Sequence, residues 1–133
     1  MIYLWVAIGS ALGGIARYAL AIAAARAWGE TFPWGTLIIN VLGSFIIGLF
    51  FTLTVAEGLM PASVNVRVFV MSGICGGFTT FSAFSLQSLE LMREGQWPAA
   101  AAYMIGSVVL CVAAAALGHW IGLRLGTVGL MRS

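Results

Sequence analysis

No charged residue occurs between Val68 and Leu89, a stretch long enough to cross a bilayer as one helix, yet its middle is poor helix material. It reads Gly73-Ile74-Cys75-Gly76-Gly77-Phe78-Thr79-Thr80-Phe81-Ser82-Ala83-Phe84-Ser85. Three glycines and adjacent threonines weaken a helix, and Gly76-Gly77 is the natural place for a break. Within hydrocarbon, broken helix survives only where protein or a watery cavity covers the freed backbone groups. Such breaks gather unwound carbonyls and half-helix ends at one spot, a geometry suited to ions. After the break, Phe78, Phe81 and Phe84 recur every three residues, and so do Thr79, Ser82, Ser85 and Ser88. Each three-residue step falls about 60° short of a turn, so a band of rings and a band of hydroxyls wind round the axis side by side. Close helix packing explains that composition as well as a permeation path does.

The rest of the chain makes this segment one of four. Its 133 residues are 62% hydrophobic and 8% charged, which places it among integral membrane proteins with no room for a separate soluble domain. The small basic excess, six Arg over four Glu with neither Lys nor Asp, is too scattered for nucleic acid. The expected spans are 2–25, 34–56, 67–91 and 97–122 of a single membrane domain. The first has no basic start and runs past signal-peptide length, so it is retained. In it, Gly9 and Gly13 form a small-xxx-small pair for close helix contact, and Arg17 either snorkels to the interface or faces a water-filled vestibule. The second span carries a lone amide, Asn40, suited to an interhelical bond or to a passing solute. The fourth has small faces at Ala99–Ala102 and Ala113–Ala116, a Gly118/Gly122/Gly126 repeat, and a stripe of Tyr103, Ser107 and Cys111. His119, with no second histidine, reads as interfacial rather than metal-binding. Trp5, Trp28, Trp34, Trp97 and Trp120 all fall near expected span ends, an aromatic belt that supports the four-span count.

Four spans put both termini on one side, together with Arg67, Arg124 and Arg132, and leave Arg26 and Arg93 on the other. The near absence of bias predicts insertion in both orientations, hence an antiparallel homodimer. No nucleophile–base pair, phosphate loop or disulfide framework is present, so no enzyme activity is expected. All four glutamates lie in links or near span ends. The membrane interior instead offers hydroxyls, an amide and phenyl rims, whose quadrupole is positive at the edge. Those donors suit a small hydrated anion that must be desolvated without being trapped by a full positive charge.

Taken together, Gly13-Gly14-Ile15-Ala16-Arg17-Tyr18, Gly35-Thr36-Leu37-Ile38-Ile39-Asn40, the Gly73–Ser85 segment, and Tyr103 with Ser107 make the chain resemble the Fluc (CrcB) family of fluoride channels over essentially its full length. The resemblance implies an all-α membrane protein with a broken third helix, assembled as a dual-topology antiparallel homodimer in the bacterial inner membrane, and passive fluoride efflux that lowers cytoplasmic fluoride toxicity. It implies that Phe81 and Phe84 line the pores, that Asn40 supplies a pore amide and Arg17 a vestibule charge, and that Ser82, Ser85, Tyr103 and Ser107 belong to the polar lining. It further implies a structural sodium ion (Na+) at the dimer centre, held by the backbone carbonyls of Gly76 and Thr79. Three positions depart from the family pattern. Ala83 stands for the last Thr of Thr-Thr-Phe-Ser-Thr-Phe, Gln87 for a frequent Glu, and Cys111 for the Ser of some relatives. The alternative reading is a small dual-topology, proton-coupled multidrug exporter, which needs a mid-membrane carboxylate; a structural membrane subunit is the third.

Overall fold

The computed structural model describes residues 1–55 and 58–130, with the backbone alone over 127–130. Ala56, Glu57 and Arg132 therefore lie outside the described residues. Four helical passes are long and apolar enough to cross a membrane. They are α1 (Ile2–Trp28), α2 (Trp34–Thr54), a composite third pass, and α6 (Trp97–Leu130). The third pass comprises α3 (Val64–Arg67), a π-helical stretch (Val68–Cys75), α4 (Gly76–Phe78) and α5 (Phe81–Arg93). Among the described residues there is no strand. The chain is a multi-pass membrane protein.

The helical passes end at other residues than the expected spans, furthest at the fourth. The third pass starts at Val64, because Ser63 caps it: its hydroxyl accepts the Val66 N–H at 3.4 Å. The fourth runs beyond Gly122 to Leu130, since neither Gly122 nor Gly126 turns the backbone. Gly29 and Gly95 take positive φ and end α1 and α5, where a side chain would be strained. The five tryptophans are all exposed on the bundle surface, as a belt requires.

Two seams hold the bundle. The more extensive joins α2 to α6. There a Cβ on Gly48 would meet the Ala115 backbone, and one on Gly118 would lie 2.9 Å from the Leu49 nitrogen. Thr52 locks the seam near its end. Its Oγ1 donates to the Gly48 carbonyl at 2.9 Å and stands 2.6 Å from His119 Nδ1. With the threonine proton on the Gly48 carbonyl, the Nδ1–H tautomer of His119 would be the donor in that pair. The second seam joins α1 to the π-helical stretch and α4. A Cβ on Gly9 would sit 2.6 Å from the Phe69 carbonyl, and one on Gly77 would sit 2.5 Å from the Ser10 carbonyl. The small-xxx-small pair thus receives the third pass at backbone-to-backbone distance.

That use of the glycines moves the expected break. Gly76 and Gly77 are helical, and the chain opens at Thr79 (φ −80°, ψ 159°) and Thr80 (φ −151°, ψ 114°). Gly77 is spent on contact with α1, whereas extended backbone suits β-branched threonine. Thr80 then restarts the helix as its N-cap, its hydroxyl accepting the Ala83 N–H at 3.2 Å.

Candidate functional site

An interrupted helix leaves carbonyls without their usual donors. Unbroken, the Thr80 N–H would serve the Gly76 carbonyl and the Ala83 N–H that of Thr79. Both are diverted: Thr80 N–H goes to Asn40 Oδ1 at 2.8 Å, and Ala83 N–H to the Thr80 hydroxyl. Gly77, the carbonyl between them in sequence, accepts from Arg17 Nε at 3.1 Å. Asn40 closes a two-bond clamp by donating Nδ2–H to the Thr80 carbonyl at 3.1 Å. This pairing fixes which end of the amide is nitrogen and leaves its second N–H uncommitted.

Beside the break lies a cavity of about 430 Å³, walled by α2, the third pass and α6. Asn40, Ser44, Thr79, Thr80, Phe81, Phe84 and Ser107 line it, together with Met71, Cys75, Cys111 and aliphatic side chains. None of its lining residues is charged. Ser107 is 6% exposed and its Oγ has no hydrogen-bond partner, a buried polar atom that calls for a guest.

A run of aromatic rings leads from the cavity towards one end of the bundle. Phe81 and Phe84 lie 5.3 Å apart between centroids, Phe84 and Tyr103 5.2 Å, Tyr103 and Phe32 5.5 Å, and Phe32 and Trp34 4.6 Å. Tyr103 is the septum of this run: it is 1% exposed and donates its hydroxyl proton to Gln87 Oε1 at 2.9 Å. Beyond it opens a wider, polar recess of about 670 Å³, bordered by Thr36, Gln87, Gln96, Glu30, Glu90 and Glu94. Among the described residues no group of three or more His, Cys, Asp or Glu could hold a metal.

With this geometry in place, the sequence matches the family model described as CrcB-like protein, Camphor Resistance (CrcB), over residues 4–119. The chain belongs to the CrcB family. It is 56% identical over 118 residues to a protein of Opitutus terrae, covering 89% of each chain. It is 58% identical over 114 residues to one of Methylobacterium radiotolerans, covering 86% of this chain and 79% of that one. It is 52% identical over 125 residues to one of Methylocella silvestris, covering 94% and 95%. All three relatives are named fluoride-specific ion channel FluC.

The residues singled out from the sequence of this CrcB protein fall into distinct groups. Asn40, Phe81, Phe84 and Ser107 meet at the cavity, with Gly76 and Thr79 on its wall. Tyr103 stands above them. Arg17 is not on the cavity wall but caps the break from the α1 side. Ser82 and Ser85 are exposed and are not among the residues lining the cavity, Ser82 bonding Thr80 Oγ1 at 3.2 Å and Ser85 donating to the Phe81 carbonyl at 2.9 Å. Sequence reading missed Ser44, Phe32 and the role of Gln87 as the partner of Tyr103. Phe32 and Gln87 had no local signal, because their meeting with Tyr103 depends on how α5 and the α1–α2 link pack on α6.

Proposed function

We propose that this CrcB protein is a fluoride channel: it lets fluoride run down its gradient out of the cell and so limits fluoride toxicity. The observation that carries the reading is the uncharged cavity at the mid-membrane break. It joins the free N–H of Asn40, the unpartnered Ser107 hydroxyl and the rims of Phe81 and Phe84. Weak donors on several sides can replace part of a small anion's water shell without the deep well that a full positive charge would create. The name shared by the three relatives points the same way. Proton-coupled export of cations has no carboxylate to run on in this cavity.

The conducting unit in this reading is an antiparallel homodimer. Phe81 is 76% exposed on the single chain, and Val108 and Val112 beside the cavity mouth are 57% and 65% exposed. An ion path open to lipid on that side would be useless, and a second copy closes it. Sodium fits the same face. The Gly76 and Thr79 carbonyls are hard oxygen donors freed by the break, and a two-fold axis would double the set. The ion would supply a fixed positive charge that pins the two breaks together.

The test is fluoride release from liposomes holding only this protein, followed with a fluoride electrode. Release well above that of empty vesicles is expected; release at the empty-vesicle rate refutes the channel. Replacing sodium with a large organic cation should lower the thermal stability of the purified dimer, and unchanged stability would remove the ion from the assembly.

A further inference from the structure

The cavity has a chemistry that anion conduction does not use. Three of its lining residues carry sulfur: Met71 and Cys75 from the π-helical stretch, one turn apart, and Cys111 from α6. Both cysteines are free thiols. Cys75 is only 3% exposed and Cys111 is partly so. No carboxylate or imidazole joins them on the wall. Thiolate and thioether donors without oxygen or nitrogen partners select soft cations, and a thioether in particular favours a monovalent d10 ion over zinc, calcium or magnesium.

We infer that Met71, Cys75 and Cys111 form a soft-metal site for a monovalent coinage-metal ion, Ag+ or Cu+, and that its occupation closes the cavity to anions. The balance is simple. Each cysteine S–H bond breaks, its proton leaves to water, and the sulfur lone pair binds the metal; no electron is transferred. Two thiolates on one monovalent cation leave the complex with a net charge of minus one, and the Met71 thioether adds a neutral third donor. A negative complex would then fill the space beside Asn40, Phe81 and Ser107, where it excludes a second anion by both volume and charge. The blocking half of this inference rests on the proposed conduction route; the binding half rests on the sulfur constellation alone.

The experiment separates the two halves. Purified full-length protein in chloride-free buffer is loaded with silver nitrate and desalted, and retained silver is measured by mass spectrometry alongside the titre of free thiols. Stoichiometric retention with loss of both free thiols is expected. Cys111→Ser and Cys75→Ser should each weaken retention by roughly 100-fold or more, given that even outer-shell partners of a metal site are worth about 10- to 100-fold. Met71→Leu should weaken it less and still lose both free thiols on loading. No retention by the wild type, or retention indifferent to Cys111, overturns the site. In liposomes, micromolar silver should stop fluoride release by the wild type, while Cys111→Ser, compared with its own silver-free rate, should resist it. Silver that binds at the cysteines but leaves fluoride release unchanged overturns the block. A wild type that releases no fluoride even without silver refutes the conduction reading instead, and the retention measurement still decides the site.

Discussion

Asn40 is where structure and conduction can be separated by substitution. Its amide makes two bonds to the Thr80 backbone, at 3.1 and 2.8 Å, across α2 and the third pass. Asn40→Leu removes both at similar volume. Interhelical hydrogen bonds within membranes average about 0.6 kcal/mol and reach about 1.7, so the pair is worth roughly 1–3.5 kcal/mol. That loss should appear in equilibrium unfolding from mixed micelles. The Thr80 N–H would then be free to return to the Gly76 carbonyl, and the break would tend to heal. Asn40→Asp is the sharper test. It keeps the acceptor for the Thr80 N–H but sets a carboxylate in the cavity. At about 4 Å and an effective dielectric near 20, two unit charges repel by about 4 kcal/mol. At about 1.4 kcal/mol per decade, that is nearly a thousand-fold loss of flux. Fluoride release from liposomes at mildly alkaline pH, where the carboxylate is ionised, measures it. Release by Asn40→Asp within a few-fold of wild type, from a protein of near-native stability, would refute the idea that the ion passes this amide.

Other outcomes follow from the same geometry. Phe81→Ile should cut fluoride release while the dimer still elutes intact, because an aliphatic side chain keeps volume but has no electropositive rim; unchanged release would remove the ring from the path. Gly118→Leu should fail to yield stable protein, since its Cβ would press on the α2 backbone, whereas Gly14→Ala, with open space around it, should unfold as wild type does. Thr80→Val loses the N-cap of α5, which costs about 1 kcal/mol by the usual capping scale and should lower the melting temperature accordingly. Tyr103→Phe leaves Gln87 without its donor and should change fluoride release more than stability, because the ring packing on Phe84 and Phe32 survives.

Much of this was legible because membrane-spanning helices are specified locally. Uncharged length set the passes, the Trp belt marked their ends, and the Gly9/Gly13 pair announced a close seam. The existence of a break could be read from Gly76-Gly77-Phe78-Thr79-Thr80, but not its position. Glycine is ambiguous between breaking a helix and letting another approach, and only the Ser10 backbone lying against Gly77 resolves it. Thr80 held the missing signal, as a good N-cap ahead of a regular run. The π-helical stretch left no trace in the pattern, since it depends on packing against α1. For Asn40 the sequence offers an interhelical bond or an amide for a passing solute; one N–H and the carbonyl go to the break, and the other N–H is left uncommitted. For Arg17 the sequence leaves open the interface or a vestibule; its bond to the Gly77 carbonyl, sixty residues away, is a partner that no local pattern reveals.

The length of α6 has a consequence of its own. Its 34 residues extend about 51 Å at 1.5 Å per residue, against a hydrocarbon layer of about 30 Å. From Trp97 to Trp120 the rise is about 35 Å, which matches the slab with one indole at each face. Just past Trp120, Gly122 still packs on Thr52 of α2, and the Arg124 guanidinium lies 5.1 Å from the Trp120 ring centroid. A reporter fused after α6 would reveal, by which compartment it lights up in, how each copy of the chain is oriented.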